Sequence, residues 1–328
     1  MTLFLSNLAN ISTQVLILFI LMLIGFICGK ANIINGEAAK RISDFCLKFT
    51  TPCVIIRSFM NSKLNPNASV SGLLMGLLAA VICHIIAVLV AQIIFNDKDP
   101  KRKALFRGSS ALANAGFMGL PLQAALLGSM GEFYGATSIF VMTFTLWTYG
   151  FVTMSSGTEK MSLKKALINP GVIAIIIGLP LFLFLPETLI SNTDSFFYKT
   201  IYTCVNHIAN CNTPVPMIVV GFYLSQSKIF DSLKDKKCML SIATKLLIIP
   251  FACIGVLYLL RTVGVPFDST ILVSAIISIS TPIAVAVTMF AAKFDGETAL
   301  SANMVSVSTL LSIITMPPVI ATAMTLFN

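Results

Sequence analysis

Hydrophobic residues in this chain come in long runs separated by short polar stretches, without the two-residue alternation that marks a half-buried strand. A run of roughly 20 apolar residues is long enough to cross a bilayer as a helix. Ten spans are predicted, at about 12–29, 38–60, 70–95, 104–128, 132–155, 168–186, 198–224, 239–262, 269–292 and 297–326. The second and seventh are the least apolar. They carry Asp44, Lys48 and Arg57, and His207, Asn210 and Asn212, so they are expected to face protein or water instead of lipid.

Two of these runs contain proline at matching places in the two halves. The fourth carries Asn114-Ala115-Gly116-Phe117-Met118-Gly119-Leu120-Pro121, and the ninth carries Ser280-Thr281-Pro282. A continuous span needs no such break, because in lipid the backbone must hydrogen-bond to itself. A matched pair of interrupted segments points to a substrate site at the midplane of a transporter. Other marks recur in the same order: Thr51-Pro52 with Thr213-Pro214, and Gly131-Glu132 with Gly296-Glu297, at offsets of 162 and 165 against 161 for the prolines. Five spans therefore read as repeated. The odd number inverts the second copy, with residues 1–156 and 168–328 as the two repeats and 157–167 as a short cytoplasmic loop.

Composition narrows the class. With 56% hydrophobic and only 11% charged residues, and a mean hydropathy of +0.91, the chain lacks the polar surface of a soluble protein. The formal charge of +9 would suit nucleic acid, but the basic residues sit in short loops between spans, where they act as topology signals. Sixteen of the 22 Lys and Arg fall on one side, among them Lys30, Lys98, Lys160, Lys228, Lys234 and Lys293. The other side has Lys63, Lys199 and Arg261, so both termini are expected outside the cell. The first basic residue is Lys30, so the apolar start reads as a retained span and not as a cleaved signal. The eight cysteines include no Cys-x-x-Cys pair and the two histidines are far apart, so no metal site is expected; the cysteines read as small buried hydrophobes.

At Asn114 to Leu122 (NAGFMGLPL), Asn169 to Gly178 (NPGVIAIIIG) and Thr281 through Pro317 (TPIAVAVTMFAAKFDGETA, then STLLSIITMP), the sequence resembles the auxin efflux carrier family, including plant PIN transporters and bacterial organic-acid permeases. The resemblance covers essentially the whole chain. It implies an all-α fold of ten helices in an inverted five-plus-five arrangement, like that of bile-acid transporters, in which helices 4 and 9 break and cross at the prolines. It also implies a scaffold of spans one, two, six and seven, a transport domain that moves elevator fashion, a plasma-membrane location and, by analogy, a homodimer. Two departures stand out. Many family members have an asparagine shortly after the ninth-helix proline, where this chain reads Ile283-Ala284-Val285-Ala286-Val287, and the loop between spans five and six is short.

The residues at the breaks define a candidate site for a small organic anion. Gly116 and Gly119 let the chain leave helical geometry, and Pro121 and Pro282 free backbone groups. The amides that follow each proline carry roughly half a positive charge at a helix start and suit a carboxylate. Asn114 and Gln123 offer both donor and acceptor, as do Ser280 and Thr281, which alternatively back-bond their own helix. Thr51 and Asn212 flank the second- and seventh-span prolines on the scaffold. Asp44 and Lys48 are spaced as an ion pair on one helical face. With His84 and His207, Asp44 is a candidate for ion coupling, although a packed or hydrogen-bonded role is the favoured reading of each histidine. No His-Glu-x-x-His, Gly-x-Ser-x-Gly, P-loop or paired aspartates are present, so neither enzyme chemistry nor ATP-driven pumping is expected, and no cofactor. A channel or transport-like sensor stays open beside a carrier; saturable exchange marks the carrier and unitary conductance the channel.

Overall fold

The computed structural model describes residues 2–161, 163–227 and 235–327, and every regular element among them is helical. Lys228 and Lys234 of the basic side lie outside the described residues. Among the described residues, five helices are long and apolar enough to cross a membrane: Thr2–Lys30, Val70–Ile94, Ala115–Met154, Lys236–Thr262 and Thr298–Phe327. Pro170–Phe184 and Ser269–Ser280 are apolar but shorter. The chain is a multi-pass membrane protein.

Helix starts follow local chemistry. Asn35, Ser69, Asp99, Asn169 and Asp268 each accept a hydrogen bond from a first-turn amide, and Pro100 and Pro170 occupy first-turn positions, where a missing N–H costs nothing. Prolines deeper in the sequence act differently. Three π-turns, Cys46–Thr50, Ala115–Gly119 and Thr244–Ile248, each end two residues before a proline, at Pro52, Pro121 and Pro250. A proline cannot donate to the carbonyl one turn back and its ring crowds that carbonyl; widening the turn relieves both. Residues 36–62 thus stay one helix across Pro52.

Three predicted spans are split. The fourth consists of Pro100–Ala111 and a second helix starting at Ala115, and the ninth of Ser269–Ser280 and Ala286–Lys293. The seventh is divided by a turn at 211–213 before Pro214–Gln226. Gly128, at φ 63°, ends the second half of the fourth span, and the chain folds back so that Gly131 and Gly135 lie against Gln123.

Two helix pairs frame the molecule. Thr2–Lys30 buries Ile11, Val15, Leu18, Met22, Gly25 and Gly29, a single face at helical spacing, and runs along Pro214–Gln226. Contact there is backbone to backbone: a methyl group on Gly25 would collide with the carbonyl of Ile218, and one on Gly221 with that of Met22. The opposite face shows Leu16, Ile20, Leu23 and Ile27 outward, as suits lipid. The 36–62 helix packs on Pro170–Phe184, where Gly178 meets the Phe59 ring and Phe133 joins Phe59 and Phe182 at centroid distances of 5.4 and 5.1 Å. Of the cysteines, Cys46, Cys83, Cys238 and Cys253 are buried as expected, whereas Cys204 is exposed. On the basic side, Arg102 pairs with Asp235 and Lys237 with Asp97 at 2.7 Å; the Lys237 hydrogen bond holds the Asp97 carboxyl below its ordinary range.

Candidate functional site

The two interrupted helices meet at their breaks. The chain leaves the helix at 112–114 and at 281–285, and there Ala113 forms a single antiparallel bridge with Ile283. Asn114 donates its amide to the Pro282 carbonyl at 2.9 Å, and Ala284 donates to the Leu112 carbonyl at 3.1 Å. The Ile283 amide goes to the Ser308 hydroxyl at 3.2 Å. These bonds satisfy backbone that neither half-helix can, which is what an irregular segment at membrane depth requires.

The break in the fourth span therefore lies at 112–114, ahead of Pro121, and not at the proline as expected. Pro121 sits buried in the first turn of Leu120–Thr145, its missing N–H absorbed by the π-turn Ala115–Gly119. Pro282 lies within the other break, so the two prolines are not equivalent partners in the crossing.

A cavity of about 420 Å³ opens beside the crossing. Ala113, Asn114, Gly116, Ala284, Val285 and Ala286 supply its inner wall, so the starts of both later half-helices face it. At Ala115–Phe117 the first amides stay outside the helical ladder, which favours an anion, whereas at the other start Val287 and Thr288 already donate to the Ala284 and Val285 carbonyls at 3.0 Å. Asn114 is 6% exposed and its Nδ2 has no hydrogen-bond partner in the protein. A buried donor without a partner costs about 1–3 kcal/mol; the Nδ2 is itself shielded from solvent, and a small turn of the side chain towards the cavity would bring it to a ligand acceptor. Gly116 has nothing within 4 Å of where a side chain would begin. The opposite wall comes from Leu47, Thr51, Asn169, Gly171, Val219 and Tyr223, and the mouth from Gly36, Lys40 and Asp44. Phe117, Trp147, Tyr223 and Phe290 give the lining four aromatic rings. None of these four aromatics was marked by the sequence, because they come from separate elements and carry no local pattern. The lone tryptophan of the chain was the one available signal.

Several predicted site residues lie elsewhere. Gln123 is fully buried and braces Ser269–Ser280, donating to the Ser274 carbonyl at 2.8 Å and to the Ser278 hydroxyl at 2.9 Å. Gly119 packs closely on Ser278 and Thr281. Ser280 back-bonds to the Ile276 carbonyl at 2.6 Å and Thr281 to that of Ser278 at 2.8 Å, so neither hydroxyl faces the cavity. Thr51 and Asn212 are brought together: the hydroxyls of Thr50 and Thr51 both donate to Asn212 Oδ1 at 2.8 Å, and only Thr51 reaches the cavity wall. Asp44 pairs with Lys48 at 3.7 Å and stands at the mouth. His84 is buried with Nδ1 against the Ala80 carbonyl at 2.8 Å, and His207 is exposed; neither lines the cavity. A second cavity of about 490 Å³, beyond Ala286–Lys293, shares Val220, Tyr223, Val285 and Met289 with the first but reaches neither Asn114 nor Gly116.

Interrupted helices that meet beside a ligand-sized cavity are an arrangement found in membrane transport proteins. The chain belongs to the membrane transport protein family, the auxin efflux carriers, whose family model matches residues 10–320. It is 25% identical over 316 residues to an uncharacterized transporter of Methanothermobacter thermautotrophicus, covering 92% of this chain and 95% of that one. An uncharacterized transporter of Methanocaldococcus jannaschii is 28% identical over 224 residues, covering 64% of this chain and 68% of the other.

Proposed function

We propose that this protein is a secondary transporter of small organic anions at the plasma membrane, and that the favoured substrate has one carboxylate on an apolar or aromatic body. The observation that carries the reading is the uncommitted Asn114 amide beside two helix starts in the cavity. A carboxylate satisfies the amide and the free backbone donors together. The rest of the lining, with Phe117, Trp147, Tyr223 and Phe290, suits an apolar body better than a second carboxylate.

Ten spans, an inverted repeat and an elevator motion form the mechanical part of the proposal. In its support, the first helix pairs with the seventh span and the second with the sixth, the pairings that exchange under a five-span repeat. The antiparallel contact of Ala113 with Ile283 fits the same inversion. With the basic loops on the cytoplasmic side, the mouth at Gly36, Lys40 and Asp44 opens inward.

Flux of labelled indole-3-acetate and malate through purified protein in liposomes tests the proposal. Saturable exchange of the aromatic acid exceeding that of malate is the expected result. Unitary currents without saturable exchange would replace the carrier with a channel.

A further inference from the structure

Lys245 is fully buried, yet it takes no part in the cavity. It lies on the π-turn Thr244–Ile248, and its Nζ donates to the carbonyl of Ile279 at 3.0 Å. Ile279 belongs to the last turn of Ser269–Ser280, the half-helix that stops at the break. Among the described residues no carboxylate lies within ion-pair distance of Lys245. Burying an ammonium without a counter-ion costs several kcal/mol, and the helix-end carbonyl of Ile279 is what the structure sets against that cost.

The charges at the crossing show what this cation does. Two half-helices start there, at Ala115 and Ala286, and two stop there, at Ala111 and Ser280. Each start carries roughly half a positive charge and each end roughly half a negative one, so the four termini nearly cancel. An anion beside the two starts is attracted by them but opposed by the two nearby ends. Near the end of Ser269–Ser280 three carbonyls take side-chain donors, Ile276 the Ser280 hydroxyl, Ser278 that of Thr281 and Ile279 the ammonium. The ammonium alone among these donors brings a full charge. Half-helix ends of this kind are where transporters hold a coupling cation.

We propose that the Lys245 ammonium is a tethered cation at the C-terminal end of Ser269–Ser280. It tips the crossing towards anions and makes a free sodium ion unnecessary. This rests on the carrier reading for its functional half, while the cation site itself stands on the geometry.

Flux of labelled indole-3-acetate and malate is measured in sodium, choline and ethylammonium buffers for the wild type and Lys245→Ala. The wild type is expected to be indifferent to the cation. The alanine variant is expected to fall by about tenfold or more in choline, the loss of one charge-assisted contact, and to recover in sodium or ethylammonium, which fit the space the side chain leaves. Sodium-stimulated wild-type flux overturns the proposal. So does variant flux equal to wild type in choline, or a folded variant that no cation restores. If the alanine variant does not fold, Lys245→Met, which keeps the side-chain length, is expected to fold and to lose flux in every buffer; retained flux overturns the proposal. If the wild type moves neither acid, the carrier reading fails separately and the melting temperature decides. A rise for Lys245→Ala in sodium or ethylammonium over choline, beyond any rise of the wild type, supports the site, and no such rise overturns it.

Discussion

Asn114 and Gln123 carry the same amide group and lie in the same interrupted segment, yet the protein uses them in opposite ways. Gln123 spends its NH₂ on Ser274 and Ser278, whereas Asn114 leaves its own uncommitted in the cavity wall. Replacing Asn114 by alanine removes no hydrogen bond of the side-chain amide to protein. The melting temperature is therefore expected to hold while flux of a carboxylate falls about tenfold or more, as one ligand hydrogen bond to a charged acceptor is lost. Gln123→Ala should do the reverse. It strands buried groups of Ser274 and Ser278 and is expected to cost about 1–3 kcal/mol of stability, read by thermal unfolding, with the KM of any transported acid unchanged. A variant pair in which both changes strike only flux would put Gln123 back in the binding site. The sequence marked both residues because both fall near Pro121, but it held no sign of which way either side chain turns.

At the scale of elements, the prolines were legible as interruptions and misleading as to their effect. Pro52, Pro121 and Pro250 each follow a π-turn and leave the helix running, while the true breaks fall at Leu112–Asn114 and across Thr281–Val285. What distinguishes them is tertiary: each broken strand finds its backbone partners in the other, across 170 residues of sequence from Ala113 to Ile283. The helix pair Thr2–Lys30 with Pro214–Gln226 is similarly non-local, and its glycines looked unremarkable among 19. Gly221→Ala forces a methyl group into the Met22 backbone and is expected to destabilise by about 1–3 kcal/mol, as overpacking does. Gly255→Ala, in a helix with nothing near the added carbon, is expected to stabilise by about 0.5–1 kcal/mol. Equal melting temperatures for the two variants would show that the close helix contact contributes nothing.

For the whole molecule, the cavity lies towards one end of the 36–62 helix, and a buried ion pair placed to seal the path lies towards the other. Asp44 stands at the mouth, and Arg57 lies thirteen residues further along the same helix, about 20 Å away at 1.5 Å per residue. There the Arg57 guanidinium donates to Asn206 at 3.0 Å and Asn210 at 2.7 Å on the neighbouring helix, and it pairs with Glu132, which starts the helix behind the crossing. The side chains of Arg57 and Glu132 are 13% and 8% exposed, so water screens the pair little. The two asparagines stay with Arg57 on the framing helices, which leaves Glu132, among the described residues, as the one ionic link from that frame to the element carrying the cavity wall. If the cavity wall moves against the frame, this bond must part in every cycle, and weakening it should populate the state open on the Lys63 side. A cysteine at Phe117, inside the cavity, reports this by its reaction with a membrane-impermeant maleimide in liposomes of known orientation. Against the native cysteines as background, Glu132→Gln is expected to speed labelling from the Lys63 side by about tenfold or more, because neutralising one member of a buried pair removes several kcal/mol of its hold. Adding Arg57→Gln should bring stability back towards the original without restoring the seal, since no uncompensated charge is then buried. Labelling from the Lys63 side that stays at the wild-type rate, with only the melting temperature lowered, would make the pair a packing feature and remove the outer seal from the transport cycle.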